Sequence, residues 1–342
     1  MPGGIERSGG SERSEGSERS GGSVLGRGAY GTTMTIACDA DDHDTLCSAI
    51  GTDGPIEVYR GGRPGRWLHG KEASRFRSWL EGSAYVAKVM RANVFGTARH
   101  NFMAEMRHSR QIERVLGPVG VRRYTMLPAI GIRGKGGVYA VLSRRAPRDV
   151  SQVPKGALSA DDLDRLVRQL LGCVAILEGK HYAHKDIKPA NIVQLPHAPW
   201  FALIDWGLAG PIGPGHRLSG DPMTTMPMAF YLDGMPAWLA VRIMWLWCRF
   251  AGPPGWFGSR IFNEVYGWSA DGFWVGLGAG AGAGEGAHAD VFSIGATVAY
   301  LVHAHRLPWK RYRGWVHGAV SMGFATAGAA LRAWRRLHTV QN

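Results

Sequence analysis

The stretch that most constrains this chain lies between residues 184 and 207, where two acids and an amide are spaced around two short strand-like runs. His184-Lys185-Asp186-Ile187-Lys188-Pro189-Ala190-Asn191 leads into Ile192-Val193-Gln194-Leu195. Phe201-Ala202-Leu203-Ile204 then leads into Asp205-Trp206-Gly207. Runs this short, without helical spacing, read as buried strands. The polar residues at their ends carry the chemistry. They are two carboxylates, Asp186 and Asp205, and one amide, Asn191.

Around this stretch the chain reads as globular from about Ala29. Residues 84–90 form a short apolar run around Lys88, consistent with a buried strand, and residues 138–143 read as another. Over 101–116, Phe102, Met106, Ile112 and Val115 fall roughly on one side, the pattern of an amphipathic helix. Residues 159–177 begin with a serine cap and an acidic first turn and continue with helical apolar spacing.

The flanks differ. Residues 6–23 are three copies of one polar hexad, which cannot bury enough surface to offset its ordering entropy and is expected to be disordered. Its Glu and Arg nearly balance, which argues against a nucleic-acid arm. Residues 238–250 are Trp-rich, but Arg242 and Arg249 interrupt them, so no transmembrane span is expected. Residues 276–287 are almost wholly Gly and Ala and read as a linker.

Composition bounds the rest. A hydrophobic content of 45% over 342 residues suffices for a large core and excludes wholesale disorder. Four scattered cysteines without C-x-x-C spacing suit a reducing interior and give no metal signature. The start of the chain is polar rather than an apolar leader, so an intracellular protein is expected. A formal charge of +13 favours acidic partners without choosing among them, and residues 291–342 contain seven Lys or Arg and no acid.

Taken in order, residues 184–191 and 205–207 resemble the catalytic loop and metal motif of eukaryotic-type serine/threonine protein kinases. Two weaker motifs agree. Val86-Ala87-Lys88 resembles the strand lysine that holds nucleotide phosphates, with Glu105 on the next helix as its partner and Glu113 as the rival. Asp290-Val291-Phe292-Ser293-Ile294-Gly295 resembles the opening of a central helix whose acid supports the catalytic loop. The resemblance covers roughly residues 50–305. Residues 226–232, Met-Pro-Met-Ala-Phe-Tyr-Leu after the activation segment, resemble kinases of large DNA viruses of algae.

The resemblance implies an α+β, two-lobed protein kinase-like fold. A small antiparallel β-lobe with one helix would span 30–141, and a mainly helical large lobe 142–342, with an atypical insert at 228–289 and a disordered tail at 1–29. It implies ATP as co-substrate, Mg2+ held by Asn191 and Asp205, Asp186 as base and Lys188 beside the transferring phosphate. Val58, Val86 and Val193 would wall the adenine, and residues 142–144 would form the hinge. Protein substrates carrying Ser or Thr in basic surroundings are implied.

The chain also departs from the pattern. The expected nucleotide loop, residues 50–59, places only Gly51 on a family glycine, with Asp53 and Ile56 at the other two places. Trp206 replaces Phe, and Met228 stands where an acid belongs. Two other classes therefore remain open, a small-molecule kinase of the aminoglycoside or choline type and a catalytically weak scaffold. Lys188, two residues past the base, favours protein kinases over the first, and the full set of charged residues argues against the second.

Overall fold

A computed structural model describes residues 24–28, 31–35, 54–60, 65–81, 85–92, 97–128, 130–198, 200–212, 285–320 and 323–339. It is of the α+β class, with antiparallel sheets and six α-helices among the described residues.

The larger sheet has seven strands, β1 (Val24–Gly28), β2 (Gly31–Thr35), β3 (Ile56–Arg60), β4 (Arg66–Leu68), β5 (Tyr85–Met90), β6 (Ile130–Arg133) and β7 (Tyr139–Arg144). They lie in the order β1-β2-β5-β7-β6-β3-β4, every pair antiparallel. Alternation along a strand sends successive side chains to opposite faces. Ala87, Ala140 and Leu142 pack on one face with Leu80 of helix α1 (Gly70–Glu81). Met90, Tyr139 and Val141 pack on the other with Phe102 and Met106 of helix α2 (Ala98–Tyr124). Lys88 shares the register of Met90, so it points to the α2 side. Gly131 also lies there. A Cβ on it would sit 2.7 Å from the Phe102 ring, so glycine lets α2 lie close to the sheet.

Helix α2 runs further than its apolar spacing predicts, to Tyr124. It continues through a kink at Gly117, whose φ is 67°, followed by Pro118. Its end is tied inward, since the Met126 N–H donates to the Leu203 carbonyl at 3.0 Å.

Helix α3 (Ala160–Glu178) starts as expected. The Ser159 hydroxyl accepts from the Asp162 N–H at 3.1 Å, and the Asp162 carboxylate accepts from the Ser159 N–H at 3.2 Å, a capping box. Its Leu163, Leu166, Val167, Leu170, Val174 and Leu177 face the main core. Helix α4 (Glu285–Ala304) crosses that core and is buried without a break from Asp290 to Ala299. Burying a side chain such as Phe292 contributes roughly 1.5–3 kcal/mol. Helices α5 (Trp309–Val320) and α6 (Ala327–Thr339) complete this part, where Trp334 stacks with Tyr312 and meets Trp315 edge-on.

Several expectations change. Val24–Gly28 belongs to the sheet, so the tail cannot extend to residue 29. β7 runs on to Arg144 and takes in the expected hinge, residues 142–144. Val58 lies on β3, three strand spacings or about 14 Å from the Lys88 strand. It packs beside Ile56, Ile130 and Ile132 and is no adenine wall. A helix already begins at Glu285, within the expected Gly/Ala linker. Gly51, the hexad repeat, the residues of 213–227 and the insert up to 284 lie outside the described residues. Among the described residues no helix is long and apolar enough to cross a membrane.

Candidate active site

Four elements bring the charged residues together. β5 supplies Lys88, whose Nζ lies 2.9 Å from Oδ1 of Asp205 and 3.6 Å from Oε2 of Glu105 on α2. The pairing decides between the two candidate glutamates, because Glu105 is buried while Glu113 is exposed. Asp205 follows strand β11 (Phe201–Leu203), which pairs with β10 (Ile192–Gln194), itself paired with β8 (Arg148–Asp149). The loop between β9 (Tyr182–Ala183) and β10 carries residues 184–191.

That loop is held from below by the buried Asp290 of α4. Its Oδ2 accepts from the His184 N–H at 2.8 Å and its Oδ1 from the Lys185 N–H at 2.9 Å. His184 spans to the other loop. Its Nε2 lies 3.2 Å from the Ile204 carbonyl, and its Nδ1 accepts from the Asp186 N–H at 3.2 Å. A ring that donates on one side and accepts on the other is neutral. Burial accordingly pushes the His184 pKa down to about 4. Lys185 and Asp205 both take left-handed backbone conformations, with φ of 68° and 55°. Such conformations cost free energy in non-glycine residues and persist where surrounding bonds impose them.

Asp186 is the hub. Its carboxylate meets Lys188 Nζ at 2.9 and 3.0 Å, and Asn191 Nδ2 donates to its Oδ2 and its carbonyl at 2.8 Å each. Burial pushes the Asp186 carboxyl up to about 6, against Lys188 and with help from the Asp205 charge. Burial alone would also raise Asp205, but the Lys88 charge and hydrogen bond outweigh it and hold that carboxyl below the usual range. For Glu105 burial prevails over Lys88 and the pKa rises, the Asp205 charge adding to the effect. Lys88 itself moves up. Desolvation opposes its charge, but two acidic neighbours more than restore it.

The donor set fits one hard divalent cation. Asn191 commits its nitrogen to Asp186, which leaves its carbonyl oxygen as the atom for a metal, and Asp205 is kept ionised nearby. Among the described residues no cluster of three or more His, Cys, Asp or Glu gathers for a metal. Two protein oxygens suit Mg2+, which keeps waters and takes its remaining ligands from phosphates, better than they suit a closed protein cage.

Val86 lies on the Lys88 face of β5, half-buried, and Val193 is buried on β10. One feature escapes the sequence reading. In sequence, residues 26–31 are a G-x-G-x-x-G run, and the structure places Gly26 and Gly28 on β1 and Gly31 on β2, with Gly28 paired to Gly31. β2 pairs in turn with β5, Thr33 opposite Lys88. Glycines in such a hairpin let backbone N–H groups approach phosphate. The run itself was the available signal, hidden by its place just after the polar hexads.

A scan of protein-family models and a search of curated proteins each find no match to this chain.

Proposed function

We propose that this chain is a two-lobed protein kinase that transfers the γ-phosphate of Mg-ATP to serine or threonine hydroxyls. The observation that carries the reading is the convergence of Lys88, Glu105 and Asp205 beside a second cluster of Asp186, Lys188 and Asn191. Phosphoryl transfer asks a protein chiefly to position the reactants and to neutralise phosphate oxygens. Lys88, steadied by Glu105, offers its ammonium to the nucleotide phosphates. Asp205 and Asn191 would hold Mg2+, which supplies charge neutralisation at those phosphates. Asp186 accepts the proton of the incoming hydroxyl, and Lys188 offers positive charge to the transferring group. The glycine hairpin at 26–31, rather than residues 50–59, covers the phosphates in this reading.

The test is labelled ATP with Mg2+ and a panel of acceptors, comparing the native chain with Asp186→Ala. The panel holds basic Ser/Thr peptides, a Tyr peptide, an aminoglycoside and choline. Label is expected on the Ser/Thr peptides and absent with the variant. Faster turnover on any small alcohol moves the protein to the small-molecule kinases. No transfer to any acceptor leaves the scaffold reading.

A further inference from the structure

Helix α2 carries a second feature on its outward side. At 100° per residue, Arg99, Met103, Arg107, Arg110 and Arg114 fall within an arc of about 80°, and the stripe runs about 22 Å along the axis. Arg99, Arg107 and Arg114 are exposed and Arg110 is half-buried. Among the described residues none of the four forms an ion pair or a cation–π contact with its own chain. Glu113 stands beside the stripe, and no ion pair joins it to any of them. Like charges three and four residues apart destabilise a helix, so this arrangement works against the helix that bears it.

We infer that this stripe is a docking surface for an acidic segment of another protein. Guanidinium groups pair with carboxylates in a planar, two-bonded geometry that an ammonium cannot match, and all four cations are arginines. A second copy of this chain fits poorly, since each copy carries a charge of +13. The chain's own hexad tail, residues 6–23, is nearly balanced, with four Glu against three Arg. A helix that inserts into a lipid surface does so by an apolar face. On α2 that face, with Phe102, Met106 and Ile112, is already buried against the protein. Binding of a single-stranded nucleic acid by base stacking uses aromatic rings, and the stripe holds only Met103. Carboxylates at helical or alternating spacing on a partner meet the remaining requirement.

The inference is independent of phosphate transfer and is tested by binding alone. A fluorescein-labelled Glu/Asp-rich peptide is titrated against the full chain by anisotropy. Two variants that each remove four positive charges are compared, one with the four stripe arginines changed to Gln and one with Lys155, Arg306, Lys310 and Arg332 changed to Gln. Apart from the half-buried Arg110 these positions are exposed, and circular dichroism checks that helix content is unchanged. Exposed ion pairs are individually weak, so loss of all four is expected to weaken binding about tenfold or more. The second variant is expected to stay within about twofold, and added salt to weaken the native complex. Equal loss in both variants would mean attraction to net charge alone and overturns the inference. It is equally overturned if a single-stranded oligonucleotide or vesicles of anionic lipid bind the stripe more tightly than the peptide does.

Discussion

The Lys88 ammonium lies 2.9 Å from the Asp205 carboxylate although 117 residues separate them in sequence. The contact joins a sheet strand to the loop after β11, and Glu105 adds a second carboxylate from α2 at 3.6 Å. A buried ammonium without such partners loses hydration that nothing replaces. Three separate elements thus have to be in place before the lysine can keep its charge.

Lys88→Met removes that charge and leaves two acids facing one another. ATP-dependent transfer is expected to fall by about 10²-fold or more, the scale seen when one charge-stabilising group is removed from a site. The measure is kcat/KM for a Ser/Thr peptide. Near-native transfer by the variant would take Lys88 out of the reaction. Asp205→Asn is expected to weaken Mg-ATP binding and turnover together, read by titration calorimetry with and without Mg2+.

The Asp186 carboxyl, raised to about 6, sets a pH limb. Below that pH it carries its own proton and cannot accept another. kcat/KM is therefore expected to rise with pH through about 6 and then level. Asp186→Asn is expected to abolish turnover while ATP still binds. A profile flat from pH 5 to 7, roughly one unit either side of that value, would contradict the role of base.

Asp290 gives each of its two oxygens to a backbone N–H, and an Asn can accept with only one. Asp290→Asn is expected to cost about 1–3 kcal/mol by urea unfolding, the penalty of one orphaned buried donor. Burial raises the Asp290 pKa from 3.8 to about 6. The folded chain therefore holds a proton that the unfolded chain has shed, and this contribution to stability is lost as pH rises through 6. A neutral Asn has no such dependence. The penalty is accordingly expected to be larger at about pH 5 than at about pH 8.

Gly295 lies where α4 and α5 cross. A Cβ there would sit 2.7 Å from the Ala319 Cβ and 3.0 Å from Val320 Cγ1. Gly295→Ala improves helix propensity by about 1 kcal/mol, yet overpacking costs about 1–3 kcal/mol. Net destabilisation is expected, seen as a lower Tm. An unchanged Tm would show that the two helices can separate freely.

Much of this arrangement was legible in the sequence because it is local. Asp186, Lys188 and Asn191 stand within six consecutive residues, so the spacing alone holds their side chains near one another once a turn forms. The Ser159 cap and the apolar face of α3 follow from period and capping chemistry in the same way. Val58 was misread for the opposite reason. The run from Ile50 to Tyr59 has the look of a glycine loop ending in a strand, and its local pattern says nothing about which strand lies beside it.

The order of residues carries the chemistry available, namely the acids, the amide and the lysines, together with the helices and strands that local periodicity specifies. Packing of the whole chain sets β2, and with it Gly31 opposite Gly28, beside the Lys88 strand while β3 lies three spacings away. It also decided that Lys88 meets Glu105 and not Glu113. Strand order is set by hydrogen bonds between distant segments and by which face of the sheet each helix can cover. Those are contacts of the folded chain, and no window of neighbouring residues contains them.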